Sequence, residues 1–94
     1  MITIKLFDKT GSFAENKDIA RDLRKKEIMP ALDNGEEVII DFSGVESTTQ
    51  SFVHALISEL IRNDYEVLEK ISFKSCNDNI QKIITIVTDY MEES

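Results

Sequence analysis

The chain lacks almost everything that usually marks chemistry in so short a protein. Its 94 residues include one cysteine, one histidine, one proline, three glycines and no tryptophan. A single thiol, Cys76, excludes an internal disulfide, and no Cys or His stands near it at metal-ligand spacing. The chain contains neither a P-loop nor a Gly-x-Gly-x-x-Gly run, so conventional nucleotide binding is not expected. Positive charge is scarce as well: 11 Lys and Arg face 18 Asp and Glu, a formal net charge of -7. Nucleic acid and anionic membrane are poor partners for such a chain, because binding them by counterion release requires a basic face. No apolar run approaches the roughly 18 residues of a membrane span, and Met1 to Asp8 carry neither the charged nor the long apolar part of an export signal. The expectation is one cytoplasmic domain over residues 1–94, with protein partners, no metal and no cofactor.

What is present is an alternation of strand and helix patterns. In Met1 to Phe7, Ile2, Ile4 and Leu6 alternate with Thr3 and Lys5, which predicts a strand with one wet face. Asp8 to Ser12, containing Gly11, reads as a turn. A helix is expected from Ala14, with Ile19 and Leu23 inward and Arg21, Arg24, Lys25 and Lys26 as a solvated face. Pro30 must end or kink it, or start a second short helix, and Asp33-Asn34-Gly35 is a stop. Glu37 to Phe42 is nearly continuously apolar, as in a central strand covered on both faces.

After Ser43-Gly44 a second helix presents Val53, Leu56, Ile57, Leu60 and Ile61 on one side. Ser47 and Gln50 match the capping box, with Thr48 as the other candidate cap. Asn63-Asp64 breaks this helix, and Val67 to Phe73 supplies a third strand. Asn77 or Asp78 caps a last helix with Ile80, Ile83, Ile84, Val87 and Met91 at helical spacing, and the tail Glu92-Glu93-Ser94 is expected to fray. Phe13, Phe52 and Phe73 are assigned to the core. The fold class is α/β: a small, largely parallel or mixed sheet of three to four strands with about three helices and right-handed crossovers.

Function, if any, belongs at the corner where the central strand runs through polar residues into the second helix. Free backbone N–H groups and the positive end of the helix dipole meet hydroxyl side chains there. Asp41 is expected to accept from the backbone of the following turn rather than to act as the acceptor of a receiver domain. Gln50, His54 and Ser58 share a helix face and read as an exposed polar stripe, without the third group and oxyanion hole of a catalytic triad.

The motif Val38-Ile39-Ile40-Asp41-Phe42-Ser43-Gly44-Val45-Glu46, with Gln50-Ser51-Phe52 and the helix to Leu60, resembles the STAS-like domain catalogued as a domain of unknown function. Ile19-Ala20-Arg21-Asp22-Leu23 and the segment from Ser72 to Asn79 fit it too. That family is similar to bacterial anti-sigma factor antagonists, in which a serine at the start of the helix after a central strand is phosphorylated. The resemblance implies a STAS-like fold, no enzymatic activity, and Ser51 as the phosphoacceptor. It also implies a partner surface of Ser47, Thr48, Thr49, Gln50 and His54, and a regulatory protein partner, either a kinase-like ATPase or an anti-sigma-type protein. Where antagonists carry an aspartate two residues before the serine and a glycine after it, this chain has Thr49 and Phe52. A constitutive, self-associating domain pairing through an edge strand is the other expectation, and homo-oligomerisation stays open.

Overall fold

A computed structural model describes residues 1–93. The main sheet has three parallel strands in the order β1-β3-β5: β1 (Ile2–Lys5), β3 (Val38–Asp41) and β5 (Ile71–Lys74). The apolar run of residues 38–42 is therefore the middle strand, as its composition predicts, and the sheet is parallel rather than mixed. A two-residue parallel pair, β2 (Phe13–Ala14) with β4 (Ser47–Thr48), sits beyond it.

The register separates the two faces of the sheet. Ile4, Ile40 and Phe73 form one row and Ile2, Val38 and Ile71 another, both on the side of the buried core. On the opposite face run Thr3, Ile39 and Ser72, then Lys5, Asp41 and Lys74. Thr3, Lys5, Ser72 and Lys74 are exposed. Cover on both faces was expected of the central strand, but only one face has it. Two right-handed crossovers stepping the same way from β1 to β3 to β5 put both connecting helices on the same side.

The first crossover is one long helical stretch: α2 (Lys17–Leu23), a π-helical turn at Arg24–Ile28, and α3 (Met29–Asp33). Pro30 accounts for the wide turn, because it has no N–H for the carbonyl four residues back, and the Met29 N–H bonds the Arg24 carbonyl, five back, instead. The stretch stops at Asn34-Gly35, with Gly35 at φ 78°, as the sequence indicates. It starts at Lys17, not Ala14, because Asn16 Oδ1 caps it by accepting from the Asp18 N–H at 2.9 Å while Ala14 is held in β2. The expected turn at residues 8–12 contains a single helical turn, α1 (Phe7–Thr10).

The second crossover helix, α4 (Gln50–Asn63), lies between α2 and α5 (Asp78–Glu93). Val53, Leu56, Ile57, Leu60 and Ile61 are all buried, matching the predicted stripe, and Phe52 is fully buried with them. Removing a side chain of that size from water contributes roughly 2–3 kcal/mol. Asn77 caps α5, its Oδ1 accepting from the Ile80 N–H at 2.9 Å. The helix extends to Glu93, and Ser94 lies outside the described residues.

Two apolar assignments change. Val67 belongs to a 3-10 turn (Tyr65–Glu69), because Asp64 Oδ1 caps it through the Glu66 N–H, so the third strand begins only at Ile71. Phe13 is exposed: it is the outward residue of a two-residue strand whose inward one is Ala14. Phe42 and Phe73 do meet, ring centroids 6.4 Å apart.

Candidate functional site

The corner between β3 and α4 is built in three steps. Asp41 Oδ1 accepts from the Ser43 N–H at 2.9 Å and from the Ser43 hydroxyl at 2.8 Å, which closes the turn as expected. Those bonds, the backbone one first, hold the Asp41 carboxyl below its ordinary range; burial opposes this, and the flanking Lys74 and Lys5 ammoniums add to it. Gly44 then turns the chain at φ 85°, packed so close to the Phe7 ring that a Cβ there would stand 2.9 Å from it.

Of the five residues expected at the polar corner and the contact residue His54, the first three hold backbone together. Ser47 and Thr48 form β4, and the buried Thr48 hydroxyl donates to the Ala14 carbonyl at 2.7 Å. Thr49 is the helix cap: its Oγ1 accepts from the Phe52 N–H at 3.0 Å. The capping box expected from Ser47 and Gln50 does not form, since Ser47 is in a strand and α4 starts two residues later than that pattern requires. The other three, Gln50, Ser51 and His54, line an open groove of about 630 Å³.

Three helices make this groove, with α4 packed against both α2 and α5. Its floor is the outward stripe of α4, from Gln50 and Ser51 through His54 and Ser58 to Arg62. One wall is α2 and the π turn, contributing Lys17, Arg21 and Arg24; the other is α5, contributing Ile86 and Tyr90. Along this polar stripe Gln50 is exposed as expected and His54 is half-buried, whereas Ser58 is only 3% exposed.

Arg24 departs most from expectation. It belongs to the basic run read as a solvated face, yet it is 4% exposed. Its Nη1 donates to the Ala55 carbonyl at 2.6 Å and its Nη2 pairs with Glu59 at 3.1 Å. Its Nε is buried and has no partner among the described residues. The burial follows the helical period: Arg24 lies four residues after the buried Ala20 and four before the buried Ile28, on the inward side of the stretch. Arg21, one turn earlier, stays at the surface, 3.4 Å from Asp18.

The groove therefore gathers four cations, Lys17, Arg21, Arg24 and Arg62, against one carboxylate, Glu59, in a chain whose net charge is -7. Sequence reasoning did not single out Lys17, Arg62, Ile86 or Tyr90. The available signal was periodic, since Lys17, Arg21 and Arg24 recur at i, i+4 and i+7 and so form one cationic helix stripe. Cys76 lies just past β5, its thiol pushed up by burial and then by the Asp41 charge, and takes no part in the groove. Among the described residues no three His, Cys, Asp or Glu side chains are placed to hold a metal ion, and no helix is long and apolar enough to cross a membrane.

No curated protein and no solved structure matches the chain. Residues 20–81 match the family model of the STAS-like domain of unknown function, a segment that takes in β3, the corner, α4 and β5. The chain belongs to the STAS-like domain family of unknown function.

Proposed function

We propose that the domain is a non-enzymatic signalling module that binds a regulatory protein along the α4 groove, with phosphorylation of Ser51 releasing that partner. The observation carrying this reading is the position of Ser51. It is exposed, in the first turn of α4, and on the floor of a groove whose α2 wall begins at Lys17, in the first turn of the neighbouring helix. Thr49 caps only the Phe52 N–H, and the first backbone bond of the helix is made by Val53. Among the described residues the N–H groups of Gln50 and Ser51 have no backbone or cap partner, as first-turn groups of a helix do not, and are open to solvent or an anion.

A phosphate there adds up to two negative charges where the helix dipole tolerates them, so α4 keeps its fold while its surface changes sign. Lys17 and Arg21 would be neutralised first. The similarity of the family to anti-sigma factor antagonists supports the same assignment and favours a kinase-like ATPase or an anti-sigma-type protein as the partner. Phe52 stands where antagonists have glycine and is buried in the core, so a modifying kinase has to read Ser51 without a flexible residue after it.

The test is capture from native extract with wild type, Ser51→Ala and Ser51→Glu as baits, read by mass spectrometry with phosphosite mapping. A regulatory protein held by wild type and Ala but released by Glu, with phosphate found on Ser51, is the expected result. Identical captures on all three baits, without phosphate, would remove the switch.

A further inference from the structure

The groove is more specific than a generic interaction face, because its two walls differ in character. The α2 side is cationic through Lys17, Arg21 and Arg24, and Arg62 adds a fourth charge at the far end of the floor. The α5 side is apolar and uncovered: Ile86 is 48% and Tyr90 63% exposed, two of the few large exposed hydrophobic side chains among the described residues. From Gln50 to Arg62 the floor runs roughly 18 Å, at 1.5 Å per helical residue. Lys17, Ile86 and Tyr90 lie outside the segment matched by the family model, so the walls are not assigned by family membership.

We infer that the occupant of this groove is an acidic amphipathic helix of the partner, about three turns long, with carboxylates toward α2 and apolar side chains toward Ile86 and Tyr90. Charge complementarity sets the first half of that description. A concentration of cations in a chain of net charge -7 attracts an acidic segment locally while the rest of the surface repels it, which fixes where it docks.

Backbone chemistry sets the second half. All three sides of the groove are helices, whose N–H and C=O groups are already bonded along their own lengths. An extended peptide would find no strand edge to pair with, whereas a helix satisfies its own backbone and brings only side chains. The small side chains of Ser51, Ala55 and Ser58 on the floor leave room for it to settle between the walls. Arg24 is the buried charge beneath this seat. The Ala55 carbonyl and Glu59 hold its guanidinium, which leaves Lys17, Arg21 and Arg62 as the cations that an entering acidic side chain can reach.

This inference rests on the proposed function for the existence of a partner, but it can fail separately. A random 16-residue peptide library displayed on phage is selected against the unmodified chain, and the winning peptides are synthesised and titrated. The expected winners carry Asp and Glu on one helical face and Leu, Ile or Phe on the adjacent one. They gain helicity on binding and weaken as salt is raised. Lys17→Glu with Arg21→Glu should weaken them at least tenfold, Tyr90→Ala about fivefold and Ser51→Glu about tenfold, with circular dichroism confirming that each variant is folded.

Winners that are basic or uncharged, that resemble this chain's own helices, or that bind the charge-reversed variant equally well overturn the acidic helix. So does a selection that enriches nothing. If that happens while the extract experiment still shows a partner released by Ser51→Glu, the switch stands and only the occupant is wrong.

Discussion

The corner leading into α4 and the first turns of α4 itself carry the same kinds of side chain, small hydroxyls and amides, and use them in different ways. At Ser47 to Thr49 the backbone is changing direction and lacks regular partners, so hydroxyls are drawn inward to supply them, to the Ala14 carbonyl and the Phe52 N–H. From Gln50 onward the helix satisfies its own backbone, and Gln50, Ser51 and His54 are left facing the groove. Polar residues next to an irregular backbone are structural first. Those one turn into a regular helix are free for recognition.

Five substitutions test that division. Gly44→Ala should cost the most, about 2 kcal/mol, since it places a Cβ at positive φ and against the Phe7 ring. Urea unfolding reads it, and adding Phe7→Ala should relieve the steric part while leaving the backbone part. Thr48→Val keeps the shape but removes the donor to the Ala14 carbonyl and should cost about 1–2 kcal/mol. A neutral result there would mean that the corner is no more structural than the helix face.

Thr49→Ala should lower stability by about 1 kcal/mol through loss of the cap, whereas Ser51→Ala two residues later should stay within about 0.5 kcal/mol. Equal losses at the two positions would erase the boundary between them. The smallest effect is conditional on pH. Because the folded state depresses the Asp41 carboxyl below its ordinary 3.8, its contribution is complete above that value and disappears as pH falls through the folded one. Asp41→Asn should therefore flatten the loss of stability seen in acid titrations below about pH 4, and leave the slope near neutrality unchanged.

How far the residues announce this fold depends on whether a signal is periodic or three-dimensional. The inward stripes of α4 and α5, the middle position of Val38 to Phe42 and the stop at Asn34-Gly35 follow from spacing and local backbone chemistry. The pair β2 with β4 does not, because two-residue strands contribute no pattern and exist only through contacts between segments more than thirty residues apart. Ser51 is reachable through the family resemblance and His54 through its helix face, whereas the cap falls at Thr49 and not at Ser47 or Thr48. The groove around them is not reachable that way: its charge comes from α2 and its apolar wall from α5, and only packing brings those helices to either side of α4. Arg24 shows the limit most clearly. A basic run looks uniformly wet, yet the member four residues from both Ala20 and Ile28 is packed inside, where the Ala55 carbonyl and Glu59 on another helix hold its guanidinium.

The row of Lys5, Asp41 and Lys74 across the open face of the sheet also bears on solubility. Both outer strands of this three-stranded sheet have one side unpaired within the main sheet, and a strand in that condition is a template for fibrillar stacking. Each is four residues long and ends in a lysine, so a foreign chain adding there would have to strip water from an ammonium group for the sake of very few hydrogen bonds. Asp41, midway between them, lets the two charges sit on so small a surface without pushing the strands apart. The sheet can stay bare on one side because its margins resist growth.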